Sequence, residues 1–307
     1  MTDEDKDSDV IRLSIVNGRR WENEHWWYKP AHVCRRWRNL ILGSTSFLDL
    51  CLVFTPGTPV ADMLAHSPPL PIVIDYVDGD GNVEEGIFLA LEQPNRIRCI
   101  RVALCLQDLQ KFVMAIDDEL PVLEYLIMVL TGAGREGDAT LVFPDTIQAP
   151  HLRHLALLDI VPIGSRLLTT AVGLVTLCLF MHNSSTYLNP NSLLQCISSL
   201  PQLETLMIIV YLNRDVETQL SHTPTITHAT LPNLRRLSFQ GVSAYIEVLI
   251  RQIATPRLEL LNIIFFDPLT FSIPCLVRFM NTTGNKLRFD RAEFEFLIER
   301  DRVETSP

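Results

Sequence analysis

One short pattern of apolar positions recurs along the chain of 307 residues. It reads P-x-L-x-x-L-x-φ, where φ is an apolar residue, and unaltered copies begin at Pro121, Pro150, Pro201, Pro232 and Pro256. The second leucine and φ lie two positions apart, so both side chains point to the same face of a β-strand. Each copy therefore predicts a strand that directs this pair into the core.

Weaker copies of the pattern fill the gaps between these strands. They begin at Ile97 and Leu174, and a last fragment begins at Leu287. Counted at the first leucine of each copy, from Ile97 to Leu287, successive copies are 22 to 31 residues apart. This range straddles the length of leucine-rich repeats, about 20 to 29 residues. Two earlier apolar runs, 47–54 and 70–76, are predicted to supply the first two strands.

Between the strands the apolar spacing becomes helical. Three sets of residues each form one apolar stripe: Leu109, Phe112, Val113 and Ile116; Leu193, Leu194, Ile197 and Leu200; and Ile246, Leu249, Ile250 and Ile253. Ser243, Thr58 before Pro59, and Ser272 before Pro274 are predicted helix starts. The chain thus alternates between strands and helices.

This alternation predicts an α/β fold with parallel strands and right-handed crossovers. We expect an irregular leucine-rich-repeat-like solenoid over residues 47–290, with parallel strands inside and helices outside. Regular repeats place Asn or Cys at the ninth position, where the side chain bonds the backbone of the turn. Here that position holds Thr131, Ile160, His182, Tyr211, Val242 and Phe266. The turn ladder is predicted to be absent, and an ordinary α/β sheet sandwich is the alternative.

Composition limits the kinds of partner. Hydrophobic residues make up 47% and charged residues 20% of the chain, as in globular proteins. The net charge of −10 argues against nucleic acid as the main partner, because phosphate binding needs Lys and Arg. The seven cysteines form no C-x-x-C pair, and no apolar stretch reaches the roughly 18 residues of a membrane span. We expect an intracellular protein, cytoplasmic or nuclear, that binds neither nucleic acid nor membrane.

A short helix is predicted near the N-terminus. Val33, Trp37, Leu40 and Ile41 form an apolar stripe, and arginines occupy the other face. Gly43 is predicted to end the helix. In one interpretation, the stripe covers the open end of the repeat array, since terminal repeats need a cap.

The same stretch resembles the end of an F-box. Val33, Cys34, Trp37 and Leu40, followed by the segment 44–48, match the F-box pattern V-C-[KR]-x-W-x-x-L followed by S-x-x-L/W. The aromatic residues at 26–28 extend the likeness to fungal F-box proteins. The likeness covers residues 26–50 only, because the Leu-Pro-x-Glu opening of an F-box is missing around residues 5–16.

The resemblance implies a role for both parts of the chain. In that family the F-box docks on the adaptor subunit of an SCF-type cullin-RING ubiquitin ligase, and the repeats hold the substrate. It therefore implies adaptor contacts at Val33, Cys34, Trp37 and Leu40. The predicted organisation is an acidic, disordered tail at 1–20, a helical partial F-box at 21–46, the repeats at 47–290, and a C-terminal tail at 291–307.

The strand residues that alternate with the core leucines point to the concave side. We expect them to form a face that binds a protein partner, above all through Tyr125, Ile127, Phe180, Met207, Ile209 and Arg236. The wider set adds Val129, Ala156, Leu158, Cys178, Thr205, Ser238 and Asn262, and it is apolar for an exposed surface. The alternatives are that a loop or the tail covers these residues, or that the strand register differs by one.

Three short segments resemble chemical motifs but lack the context that such chemistry needs. The G-x-G-x-x-G match at 132–137 is followed by extended chain, so a loop is the better interpretation. The segment 78–82 lacks the later glycine and glutamate of a calcium loop. His151 and His154 have no acidic or thiol neighbour at ligand spacing. We predict no metal, no cofactor and no catalytic residue.

The leading functional hypothesis is a non-enzymatic scaffold that recruits an unknown protein substrate to the ligase. The alternative is a repeat scaffold with a non-functional F-box that binds partners without ubiquitin chemistry. A nucleotide-dependent enzyme using the Gly132 loop is kept for contrast.

Overall fold

A computed structural model describes residues 33–43, 50–52, 60–66, 69–77, 85–116, 119–131, 141–143, 146–161, 166–182, 186–210, 228–265 and 273–283. The predicted tails, the Gly132 loop, the segment 78–82 and the fragment at Leu287 lie outside these residues. Within them the chain is α/β, as predicted.

Strands and short helices alternate along the described chain. The main strands are β1 Leu50–Leu52, β2 Ile72–Val77, β3 Ile97–Cys105, β4 Tyr125–Thr131, β6 His154–Leu158, β8 Thr176–Met181, β9 Thr205–Val210, β11 Arg236–Gly241 and β13 Leu260–Phe265. Short strands are β5 Leu141–Val142, β7 Ile160–Val161, β10 Ala229–Thr230 and β12 Ile253–Ala254. The helices are α1 Arg35–Gly43, α2 Val60–His66, α3 Glu85–Leu91, α4 Leu106–Ala115, α5 Arg166–Thr170, α6 Pro190–Ser198, α7 Ser243–Ile250 and α8 Pro274–Thr283, with a 3₁₀ turn at Pro94–Arg96.

The main strands form a single sheet. Among the described residues it has nine strands, in the order β1-β2-β3-β4-β6-β8-β9-β11-β13, and each neighbouring pair is parallel. The pairs β5–β7 and β10–β12 form two further parallel ladders. Strand order in the main sheet therefore follows chain order, and the predicted α/β architecture with parallel strands is confirmed.

The repeated leucines lie side by side in this sheet. One row of directly paired positions runs Ile100, Leu126, Leu155, Leu177, Leu206, Leu237 and Leu261, and the φ positions form the parallel row Val102, Met128, Leu157, Leu179, Ile208, Phe239 and Ile263. Outside β13, each of these side chains is at most 2% exposed. The predicted register is correct, because a slip of one residue would turn both rows to the opposite face.

The first leucine of each copy enters the core from a turn. The Leu152 amide donates to the carbonyl of Ala149, and the Leu203 amide donates to that of Leu200, in both cases three residues earlier. Leu123, Leu174, Leu234 and Leu258 repeat this bond. All six leucines are buried. The turn before each strand therefore contributes a side chain to the same core as the two leucine rows.

The helices pack on the side of the leucine rows. Leu109 of α4, Leu193 of α6 and Ile246 of α7 belong to the same buried cluster as the paired leucines. Two predicted stripes run past the helix ends, since Ile116 caps α4 and Leu200 follows α6. The assignment of Ile253 to a helix was wrong: it lies in β12, where it pairs with Ala229.

Side chains tie distant units of this layer together. Ser243 and Pro274 begin α7 and α8, as predicted. The Glu247 carboxylate of α7 accepts hydrogen bonds from the Cys275 and Leu276 amides at 2.9 and 2.8 Å, which caps the start of α8. The buried Tyr245 hydroxyl donates to the carbonyl of Leu188 at 2.8 Å, across 57 positions of sequence. The first set of bonds joins α7 to α8, and the second joins α7 to the segment just before α6.

In one turn, an aspartate makes the side-chain bond to the backbone that Asn or Cys makes in regular repeats. Asp159, at the eighth position of its repeat, has a φ of 56° and is 8% exposed. Its carboxylate accepts a hydrogen bond from the His182 amide at 2.7 Å, and its own amide donates to the carbonyl of Phe180 at 2.8 Å. At this turn an aspartate, one position before the usual Asn or Cys, bonds the backbone of the next unit.

Candidate protein-binding surfaces

The face of the sheet opposite the helices carries the predicted binding residues. No helix that the structure describes contributes to its apolar cluster, and in that sense we call it the helix-free face. It is defined by three rows of paired positions that alternate with the leucine rows. They run Tyr125, His154, Thr176, Thr205, Arg236, Leu260; Asp75, Arg101, Ile127, Ala156, Cys178, Met207, Ser238, Asn262; and Ala103, Val129, Leu158, Phe180, Ile209, Gln240, Ile264. The rows place Tyr125, Ile127, Phe180, Met207, Ile209 and Arg236 on a common face.

The middle strands make this face apolar. Ala156, Cys178, Phe180 and Ile209 form a buried cluster, with Ile127, Leu158 and Met207 packed around it. No described helix contributes to this cluster. It therefore lies apart from the main core, on the opposite side of the sheet.

Burial divides the predicted contact residues. Phe180 is 1% exposed and Ile209 is 4% exposed, so both side chains are buried in the structure, and partner binding through them stays a prediction. Tyr125, Ile127 and Met207 are partly buried, and Arg236 is exposed. The side chains of Phe180 and Ile209 pack against residues of neighbouring strands, since both belong to the one buried cluster. The second group remains accessible at its edges.

Charged and polar residues border the apolar middle. On one side Arg101 donates to both carboxylate oxygens of Asp75, the Nε contact being 2.8 Å, and such two-point pairs are the strong kind. On the other side Asn262 donates to the Ser238 hydroxyl at 3.4 Å. An apolar centre with a polar rim is the usual anatomy of a protein interface.

An aromatic stack marks the strand starts of this face. The rings of Tyr125 and His154 lie 4.5 Å apart and 7° from parallel. The imidazole of His154 is partly buried, whereas His151 is exposed. The prediction of two ordinary surface histidines thus holds for His151 alone, since His154 packs on a neighbouring strand.

The cluster contains one cysteine, Cys178. Burial raises the pKa of its thiol to about 12. The thiolate is the nucleophilic form of cysteine, so this sulfur stays protonated. We assign Cys178 to packing.

A cluster of titratable side chains lies at the start of α4. Lys111 donates to Asp108 at 2.9 Å, and the Cys105 thiol donates to the other carboxylate oxygen at 3.2 Å. The hydrogen bond from Lys111, and then that from Cys105, lowers the pKa of the Asp108 carboxyl although burial opposes this. An ionised aspartate in the first turn stabilises a helix, and that is the role we assign to it.

The head helix exposes its apolar residues. Val33 is 70%, Trp37 53% and Leu40 61% exposed, and Cys34 is exposed as well. The helix begins at Arg35, so the prediction that it includes Val33 was wrong by two residues. The side chain of Ile41 lies outside the described part. An apolar stripe this exposed argues against the interpretation that Trp37 caps the repeat array.

Metal ligands and membrane spans were also sought. In the described ranges no three His, Cys, Asp or Glu residues group as metal ligands would. No described helix combines the length and apolar character needed to cross a membrane. Comparison of the chain with protein-family models, with curated proteins and with solved structures found no match.

Proposed function

We propose that this chain is a non-enzymatic scaffold that recruits a protein target to an SCF-type cullin-RING ubiquitin ligase. The head helix α1 docks on the ligase adaptor subunit, and the helix-free face holds the target. The observation that carries the proposal is the exposure of Val33, Trp37 and Leu40, in the segment that resembles an F-box. Exposed apolar side chains grouped on one short segment are typical of interaction sites.

The body of the molecule is proposed to be an open-ended, leucine-rich-repeat-like solenoid. Two features support this: strand order equals chain order, and the helical core residues lie on the leucine side of the sheet. A compact chain of 307 residues has a radius of gyration of about 19 Å. Small-angle X-ray scattering is expected to give a larger value, and a value of about 19 Å would favour a closed globule.

Target binding is assigned to the helix-free face because no described helix packs against its apolar middle. Ile127 and Met207 remain partly accessible beside the buried cluster. The ion pair of Arg101 with Asp75 closes one border of this patch. A partner with an apolar contact patch and a polar rim fits such a surface.

Adaptor binding is tested with purified components. The full chain and the purified adaptor subunit are mixed and titrated by calorimetry, with Trp37→Ala as the test variant and Met114→Ala as control. Met114 is 75% exposed on α4, so it matches Trp37 as an exposed apolar side chain outside the head. We expect binding by the parent chain and the control, and a loss of about thirtyfold or more for Trp37→Ala, because removing an aromatic hot spot costs about 2 kcal/mol or more.

The second candidate is a repeat scaffold whose F-box no longer docks. The missing Leu-Pro-x-Glu opening favours it. If the parent chain does not bind the adaptor, or if Trp37→Ala binds equally well, the ligase role is excluded and this candidate stands.

A further inference from the structure

A groove interrupts the row of turns that precede the strands. It encloses about 420 Å³ and is lined by Pro150, His151, Arg153, Gly173, Val175, Gln202 and Glu204. These residues come from the turns before β6, β8 and β9, at the edge of the sheet where the strands begin. The groove is therefore distinct from both the head and the helix-free face.

The groove exists because the turn before β8 carries smaller side chains than the turns on either side of it. The residue after the first leucine is Arg153, Val175, Glu204, Arg235 and Glu259 in five successive units. The residue before that leucine is Gly173 in the second of these units, whereas the first and third units have His151 and Gln202 there. Because Gly173 and Val175 are small, open space remains between Arg153 on one side and Glu204 on the other.

Further along the row the polar side chains neutralise one another. Arg235 pairs with Glu259 at 3.0 Å, and Arg257 donates to Asn233 at 2.8 Å. At the groove, Arg153 and Glu204 are exposed, and neither side chain has a hydrogen-bond or ion-pair partner in the part of the chain that the structure describes. The opposite charges lie two strands apart in the sheet, with Val175 at the start of the strand between them.

Neither backbone conformation nor packing requires a glycine at position 173. Its φ is outside the left-handed region, and an added Cβ would meet nothing within 4 Å. The consequence of glycine here is open space. A larger polar side chain at this position would extend into the groove between Arg153 and Glu204.

We propose that this groove binds a short extended segment of a partner protein that carries an acidic and a basic side chain three residues apart. Arg153 and Glu204 stand two strands apart, which is about 9.6 Å. In a polyproline II segment, side chains at i and i+3 lie on the same side and about 9.3 Å apart. The acidic side chain pairs with Arg153, the basic one pairs with Glu204, and the residues between them rest on Val175.

A peptide segment fits the groove better than a free small molecule does. Small-molecule sites enclose most of their ligand, whereas this groove opens to solvent along a sheet edge. A segment of a larger protein can be weakly held here and gain from contacts elsewhere on the same chain. The inference thus deepens the proposed function, and it rests on this chain being a protein-binding scaffold.

Labelled peptides test the proposal on the full-length chain. The test peptide contains Asp-Pro-Pro-Lys between alanines, and the matched neutral peptide contains Asn-Pro-Pro-Gln; binding is followed by fluorescence anisotropy at low salt. We expect the parent chain to bind the charged peptide about fivefold more tightly. Arg153→Glu is expected to abolish this preference, and Gly173→Gln, which fills the groove, to weaken binding of both peptides.

Two controls make the result specific. Arg166→Glu makes the same change in net charge on α5, outside the groove, and Gly173→Ala adds a methyl group where there is room; both should bind like the parent chain. A peptide with Lys in place of Asp should bind Arg153→Glu better than it binds the parent chain. Equal binding of the charged and neutral peptides by the parent chain, or equal loss in Arg166→Glu, would overturn the proposal. Neither result bears on the adaptor titration, which concerns the head.

Discussion

The two faces of the central sheet are built by different rules. On the helix-covered face, the leucine and φ rows are apolar in every strand from β3 to β13 and are almost fully buried up to β11. On the helix-free face, the buried apolar cluster is confined to the middle strands β4, β6, β8 and β9. The middle row of that face begins with the Asp75 and Arg101 pair and ends with Ser238 and Asn262.

This difference shows which face must be apolar for the chain to fold and which face can vary. Each unit must bury its leucines against a helix and its neighbours, so no strand can give up its apolar residues on that face. The helix-free face carries no such requirement, because the polar residues of β2, β3, β11 and β13 fold into the same sheet. Its apolar middle therefore calls for a second explanation, and a bound partner supplies one.

The largest expected effect is a difference in unfolding free energy between alanine substitutions at two neighbouring residues on opposite faces. Leu206→Ala empties a fully buried site in the leucine row and should lower the free energy of unfolding by about 2 to 5 kcal/mol. Met207→Ala, on the partly buried other face, should cost less than about 1.5 kcal/mol. Urea unfolding followed by circular dichroism measures both. Equal costs would mean that both faces belong to one packed core.

A smaller effect concerns two glycines. At Gly241, which has a φ of 156°, an added Cβ would lie 2.9 Å from the carbonyl oxygen of Val210. Gly241→Ala should therefore destabilise the protein by about 1 to 3 kcal/mol. Gly173→Ala has room and is expected to be neutral or to stabilise by up to about 1 kcal/mol. Thermal unfolding compares the pair, and a large loss at Gly173 would contradict the open groove.

A third prediction concerns the turn beside the helix-free face. Asp159→Ala removes the acceptor of the His182 amide and places alanine at a positive φ, so we expect a loss of about 1 to 2 kcal/mol. Asp159→Asn keeps an acceptor oxygen and tolerates this backbone conformation, and should retain most of the stability. Urea midpoints decide this, and equal losses for both variants would show that the carboxylate charge matters instead.

The sequence predicted the helix-covered face more fully than the helix-free face. The period-two spacing of Leu206 and Ile208 defines strand and register together, and this prediction is local. The burial of Phe180 depends on side chains from neighbouring strands, which no local spacing reveals. The bond from Asp159 to His182 joins residues 23 positions apart, and the groove at Gly173 is visible only when three turns are aligned. The head resemblance identified the exposed residues, although the helix begins after Val33.

The most direct test of the central claim is a comparison of the proteins captured by three forms of the full-length chain. These are the parent chain, Met207→Glu on the helix-free face, and Met114→Glu on α4, with folding of each checked by circular dichroism. Captured proteins are identified and quantified by mass spectrometry after cross-linking. We expect at least one protein to be captured by the parent chain and by Met114→Glu and to be lost with Met207→Glu. The same proteins in the same amounts from all three would contradict the assignment of the helix-free face as the target-binding surface.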